Sequence, residues 1–314
     1  MNAALEFKGV VKRYGRIHAL DGLDLFVPAG SIFGLVGSNG AGKTTAMAAS
    51  VGLLHLSAGE VSLFGEGSFS ADLHAGRVSL LPQDARFPPH ARLMDLLRYY
   101  GRLQGLTGDR LDASITSLLE WVHLTDRRMA PVRTLSHGMT RRLSIIQAFL
   151  GTPEMVLLDE PLNGLDPREA ARIRELIRQR HGRQTILISS HNLSDIEALC
   201  DQVAFIEKGR LVRQDAMDAI IHRRHRMSYV LTHPAAPDLV GEAIPDVAWE
   251  TSPDGLTLTA NFDARLEPEA VNAMVLRILL DKGVGILEVR RGSDLETEYL
   301  SMHPAQPLPP PIPE

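Results

Sequence analysis

The 314-residue sequence predicts an α/β domain built on a largely parallel sheet, followed by a small α+β unit. Three observations point there. Short unbroken apolar runs, SIFGLVG (31–37), MVLLD (155–159), TILISS (185–190) and VAFI (203–206), have the length of buried strands. Helix-like stretches such as 168–179 separate them, and strands alternating with helices make a parallel sheet covered on both faces. Beyond residue 227 the pattern changes to alternating strands around a Pro253-Asp254-Gly255 turn signal, with one amphipathic helix at 267–282.

In chain order, 5–11 and 23–27 read as strands. The run 31–37 is a buried strand with a glycine-rich exit, and 44–54 a helix. Between 88 and 151 helical spacing takes over, with Leu93, Leu96, Leu97 and Tyr100, then Ile115, Leu118, Leu119 and Val122, then Met139, Leu143, Ile146 and Leu150. This predicts a helical insert within an α/β domain that spans 1–222. The basic run HRRHR reads as a solvated linker at 223–227. Residues 228–302 read as a compact unit of βαββαβ order, and the proline-rich end, 303–314, as extended and unpacked.

Composition narrows the class. A formal net charge of -5 disfavours a general nucleic-acid binder, so no nucleic-acid partner is expected. Cys200 is the single cysteine, which excludes an intrachain disulfide and a zinc module built on cysteine pairs. No window reaches the roughly 18 uninterrupted apolar residues of a membrane span, and the first residues lack the apolar core of a signal peptide.

Two segments carry chemistry. GSNGAGKTT comprises Gly37, Ser38, Asn39, Gly40, Ala41, Gly42, Lys43, Thr44 and Thr45, and it satisfies G-x-x-x-x-G-K-[ST] between a buried strand and a helix. The glycines let the backbone curl so that successive N–H groups face phosphate oxygens, and the following helix presents its positive end to the same anion. Lys43 is expected on the β- and γ-phosphates, Thr44 on Mg²⁺, and Thr45 on a further phosphate oxygen. MVLLDEP (155–161) places two acids at the end of an apolar strand, on the sheet edge that also carries the phosphate loop. There Asp159 would hold Mg²⁺ and Glu160 would polarise the attacking water.

With these segments in place, the sequence resembles the ATP-binding-cassette (ABC) family over about 5–212. The distinguishing marker is LSHGM (135–139), similar to the family's LSGGQ segment. Ser136 can cap the helix that starts beside it, and the Gly138 amide adds to an anion site at that helix end. The resemblance implies that Ser136 and Gly138 meet the γ-phosphate of ATP held by a second cassette. Two chains, identical or paralogous, would then close head-to-tail around two nucleotides. His137 stands where the family has glycine; its side chain either crowds the phosphate or adds a donor. The resemblance further implies that Tyr14 stacks on adenine and that Gln83 touches Mg²⁺ and water. It makes Asp166 the acid of the loop linking the two sites, and His191 a switch on the γ-phosphate. The fold implied is a P-loop NTPase cassette with a RecA-like core sheet, an antiparallel β subdomain and a helical insert.

The stretch 117–150 is most similar to cassettes serving bacterial exporters. The expected role is a Mg²⁺-dependent ATPase subunit energising a separate integral membrane permease, peripheral at the cytoplasmic face of the membrane. The segment after Gln83 would be its docking surface. The alternatives are a soluble cassette ATPase acting on nucleic acid or ribosomes, and a non-catalytic regulatory cassette. One phosphate loop, no sustained heptads and one cysteine weigh against the first. Intact Lys43, Asp159, Glu160 and His191 weigh against the second.

Overall fold

The computed structural model describes residues 2–221, 224–241, 244, 246–263, 265–291 and 295. The chain divides into two compact units, 1–215 and 216–314. The first holds, in chain order, β1 (Ala3–Tyr14), β2 (Ile17–Pro28), β3 (Ile32–Val36), α1 (Lys43–Ser50), β4 (Ala58–Leu63), α2 (Ala71–His74), β5 (Val78–Leu81), α3 (Leu93–Leu103), α4 (Gly108–Trp121), α5 (His137–Ala148), β6 (Met155–Asp159), α6 (Pro167–Arg178), β7 (Thr185–Ser190), α7 (Leu193–Leu199), β8 (Gln202–Glu207) and β9 (Arg210–Ala216).

Six strands form the main sheet in the order β5-β6-β7-β3-β8-β9, and the ladders from β5 through β8 are parallel. Every residue of β3, β6 and β7 is buried. This accounts for their unbroken apolar runs, since a strand covered on both faces has no solvent side to mark with polar residues. On one face Phe33, Leu35, Leu157 and Leu187 share a core with Ala46 and Met47 of α1. On the other, α7 approaches so closely that a Cβ on Gly34 would meet Ile196 Cγ2 at 2.6 Å and Cys200 Sγ at 3.2 Å. Cys200 is buried and free.

A three-stranded antiparallel sheet, β2-β1-β4, joins the first of these cores through Phe7, Leu23, Leu25, Val27 and Leu63. Its long strands exceed the expected runs at 5–11 and 23–27. The reason is irregular register: the β1–β2 ladder shifts between Phe7 and Val10 and again between Lys12 and Arg13, and each shift breaks the period-2 pattern. β4 was not foreseen, because only Val61 and Leu63 along it are buried. In the insert, Leu93, Leu96 and Leu97 of α3 and Leu111, Ile115, Leu118 and Leu119 of α4 face inward, and the two helices pack together.

The second unit contains α8 (Met217–Ile221), β10 (Arg224–Leu231), α9 (Asp238–Gly241), β11 (Val247–Thr251), β12 (Thr257–Asp263), α10 (Pro268–Asp281) and β13 (Ile286–Arg291). After α8 the order is β–α–β–β–α–β, and the sheet β11-β12-β10-β13 is antiparallel at every junction. Val271, Val275 and Leu279 of α10 share a core with Tyr229, Leu231, Leu258, Ala260 and Phe262. The linker expected at 223–227 is corrected here. From Arg224 the chain is strand, and His225 and Met227 are buried in alternation with Arg226 and Ser228. The density of basic residues masked a period-2 strand. The split at 215/216, rather than 222, leaves α8 in the unit whose β10 it contacts. His222, Arg223 and the expected tail 303–314 lie outside the described residues.

Candidate active site

β3 leads into the loop from Gly37 to Gly42, which turns directly into α1. Gly42 caps that helix with φ 109°, and a Cβ there would lie 2.6 Å from the Ala19 carbonyl oxygen. A Cβ at Gly37 would lie 2.5 Å from the Ile206 carbonyl oxygen. Both positions therefore demand glycine, one for its backbone angle and both for space. Lys43 is the first residue of α1 and only 7% exposed. Its Nζ donates to the carbonyls of Gly37 (2.7 Å) and Ser38 (3.2 Å) and stands 3.8 Å from Glu160 Oε1. Burial lowers the proton affinity of this amine, and the Glu160 and Asp159 carboxylates act in the opposite sense.

β6 carries Asp159 and Glu160 to the same edge. In the parallel β6–β7 ladder Asp159 is paired with Ser189. The fully buried Ser189 hydroxyl donates to Asp159 Oδ1 and accepts the Glu160 N–H at 2.9 Å. Asp159 Oδ2 accepts from the Thr44 hydroxyl at 2.7 Å. Glu160 turns the chain out of the strand with a left-handed backbone, φ 51°. Its carboxylate stands between Lys43 and His191, whose Nδ1 is 2.8 Å from Oε2. Glu160 is buried while His191 is half exposed, so the pair connects the interior to the surface of the site.

Lys43, Thr44, Asp159 and Glu160 open on a cleft of about 470 Å³, within the roughly 300–1,000 Å³ common for small-molecule sites. The structure brings Tyr14, Asn39, Gly40, Gly42, Lys43, Thr44, Thr45, Gln83, Asp159 and Glu160 together in its lining. Gly37, Ser38 and Ala41 complete the loop. Tyr14 is half exposed, with the Lys12 ammonium 4.8 Å from its ring centroid. The hydroxyl of Thr44 and the carboxylate of Asp159 form a hard-oxygen pair at the head of the phosphate loop, a donor set suited to Mg²⁺.

Ser136, Gly138, Asp166 and His191 are not in that lining, and His191 meets it only through Glu160. Ser136 caps α5, its hydroxyl accepting the Met139 N–H at 3.2 Å, and Asp166 caps α6 by accepting the N–H groups of Arg168 and Glu169, both at 2.9 Å. Gly138 lies in the first turn of α5, against the Glu169 carboxylate. The His137 ring lies against Gly164 of its own chain and lines a second groove with Gln83, Asp84 and Asn163.

The sequence reading missed several contributors. Ile17 and His18 line the cleft beside Tyr14. Ser189 was visible in LISSH as a hydroxyl closing an apolar strand, but its partners depend on which strand lies alongside. Arg141 lies off the apolar spacing of its helix, yet it is buried and donates to the backbone carbonyls around Glu160.

A family model described as ABC transporter matches residues 20–163. The chain is 34% identical over 302 residues to a Nod factor export ATP-binding protein I of Burkholderia lata, covering 96% of this chain and 97% of that relative. It is 32% identical over 304 residues to the protein of the same name in Cupriavidus metallidurans, covering 96% and 98%. Among solved structures, an ATP-binding subunit of an ABC transporter superposes with a TM-score of 0.64 at 27% identity, over 69% of this chain and 91% of that one. With the phosphate loop, the acidic strand end and relatives aligned along nearly its whole length, the chain belongs to the ABC transporter family, as an ATP-binding subunit.

Proposed function

We propose that this chain hydrolyses ATP with Mg²⁺ and thereby energises export through a separate integral membrane permease. The observation that carries hydrolysis is the placement of Glu160: a buried carboxylate in the lining of the cleft, 3.8 Å from the Lys43 ammonium and 2.8 Å from His191 Nδ1. Lys43 and the loop amides bind and orient the phosphates. Thr44 and Asp159, with Gln83 nearby, would hold the ion, which neutralises charge developing on the phosphoryl oxygens. Glu160 takes the proton of the attacking water, and His191 orients its carboxylate. Tyr14 offers its open ring face to the adenine.

Ser136 and Gly138, at the exposed start of α5, serve the nucleotide of a second cassette, and Asp166 links the two sites. That head-to-tail pairing explains why they stand apart from the cleft of their own chain. As in other ABC transporter ATP-binding subunits, a separate permease supplies the path and holds the chain at the membrane's cytoplasmic face; among the described residues no helix is long and apolar enough to cross a membrane. The export direction rests on relatives that carry export in their names.

The test is Glu160→Gln in the full chain. Turnover should fall by about 10²–10⁴-fold while ATP binding persists and an ATP-loaded dimer accumulates on size exclusion. Hydrolysis at the unsubstituted rate would refute Glu160 as the base.

A further inference from the structure

Arg141 lies in the first half of α5, and its guanidinium is buried, 8% exposed. All its hydrogen bonds go to main-chain carbonyls. Nε donates to Pro161 at 3.2 Å, Nη1 to Gln83 at 3.0 Å, and Nη2 to Asp159 at 3.2 Å and to Glu160. Burial lowers its proton affinity, and the Asp159, Glu160 and Asp84 carboxylates oppose that. A guanidinium stays charged regardless. A buried cation spent on main-chain acceptors suits a task of fixing backbone.

Three of the four acceptors are consecutive residues at the end of β6, where Glu160 adopts φ 51°. Side chains bearing a Cβ take that conformation reluctantly. Here it is held from both ends: the Glu160 N–H by Ser189 Oγ at 2.9 Å and the Glu160 carbonyl by Arg141. The direction of the Glu160 side chain follows from this backbone. The fourth acceptor belongs to Gln83, on the loop that borders the same cleft. One guanidinium thus joins the helix that starts after Ser136, the Gln83 loop and the turn carrying Glu160.

We propose that Arg141 is a positioning residue for hydrolysis: by holding these four carbonyls it keeps Glu160 in the left-handed turn that aims its carboxylate, and it ties that aim to the place of the Gln83 loop. The proposal rests on the reading of Glu160 as the base. Its consequence is a separation of effects. Losing the guanidinium loosens the base by a fraction of an ångström, and misplacements of that order are costly to a chemical step. The phosphate loop and Tyr14 make no hydrogen bond to Arg141 and keep their grip on the nucleotide.

The experiment uses the full chain. Arg141→Met keeps the apolar stem and removes every donor; Arg141→Lys keeps a charge but not the fork. kcat and KM for ATP are measured beside the affinity and stoichiometry of a fluorescent non-hydrolysable ATP analogue. For Arg141→Met, kcat per binding-competent chain should fall about 10–100-fold, with KM and analogue affinity within about threefold, and Arg141→Lys should recover part of the loss. A merely structural role would lower the number of competent chains without lowering kcat per chain. Either that outcome, a kcat within about twofold of the unsubstituted chain, or a parallel fall in affinity overturns the proposal. If Arg141→Met yields no folded protein, Arg141→Lys decides by the same split. Glu160→Gln run alongside separates the two readings. Full activity there sinks the base assignment, whereas an inactive Glu160→Gln beside a fully active Arg141→Met sinks only the role of Arg141.

Discussion

Replacing Ser189 with alanine removes one hydroxyl and breaks two bonds that meet at the acidic strand end. The Ser189 hydroxyl is fully buried, donates to Asp159 Oδ1 and accepts the Glu160 N–H at 2.9 Å. A buried donor left without an acceptor costs about 1–3 kcal/mol, and a hydrogen bond to a charged group contributes about 1.5–3 kcal/mol. Asp159 keeps its bond from Thr44, and the turn relaxes in part, so the expected loss is about 3 kcal/mol. The first unit spans residues 1–215, a size at which each kcal/mol lowers Tm by about 2–4 °C. Calorimetry should therefore show its transition falling by about 6–12 °C. ATP turnover per folded chain should fall with it, because the backbone of Glu160, the proposed base, loses one of its two anchors. A shift under about 2 °C with unchanged turnover would show that this hydroxyl does not hold the two acids in place.

Two further outcomes are expected. Gly42→Ala forces a Cβ into φ 109° and to within 2.6 Å of the Ala19 carbonyl oxygen, at a cost of about 1–3 kcal/mol. ATP affinity should drop at least tenfold or so by nucleotide titration, and an unchanged affinity contradicts the tight-turn geometry. In its proposed role Lys43 grips phosphate only when charged, and its burial lowers its pKa below the ordinary lysine value of 10.5. The charged form is therefore lost earlier as pH rises, and ATP affinity should begin to weaken on the alkaline side before an ordinary lysine would titrate. A dissociation constant flat up to about pH 10 speaks against a depressed Lys43.

Much of the first unit was legible because its signals are local. Fully buried parallel strands announce themselves as unbroken apolar runs, and 155–159 and 185–190 match β6 and β7 residue for residue. The antiparallel strands were harder to read, since the register shifts in β1–β2 scramble their alternation and β4 buries little. In the second unit, basic side chains at Arg224 and Arg226 disguised a strand whose apolar face includes Met227 and Tyr229. Caps behaved as the residue types foretell: Ser136, Asp166 and Asn192 each accept an N–H from the first turn of the helix that follows.

The chemistry proposed for the phosphate loop was legible in the sequence itself, because nine contiguous residues from the end of a strand into a helix carry the turn angles, the donors and the lysine. Membership of the cassette family and the identity of Asp159, Glu160 and His191 follow from similar short segments in a set order. Only the tertiary structure decided what holds those groups. Ser189 reaches Glu160 across 29 residues of chain because β6 and β7 lie side by side in one register. Arg141 reaches Gln83 across 58 because α5 packs against β5 and β6. Strand register and helix docking come from the packing of the whole core, so no local pattern of residues records which hydroxyl or which guanidinium ends up beside Glu160.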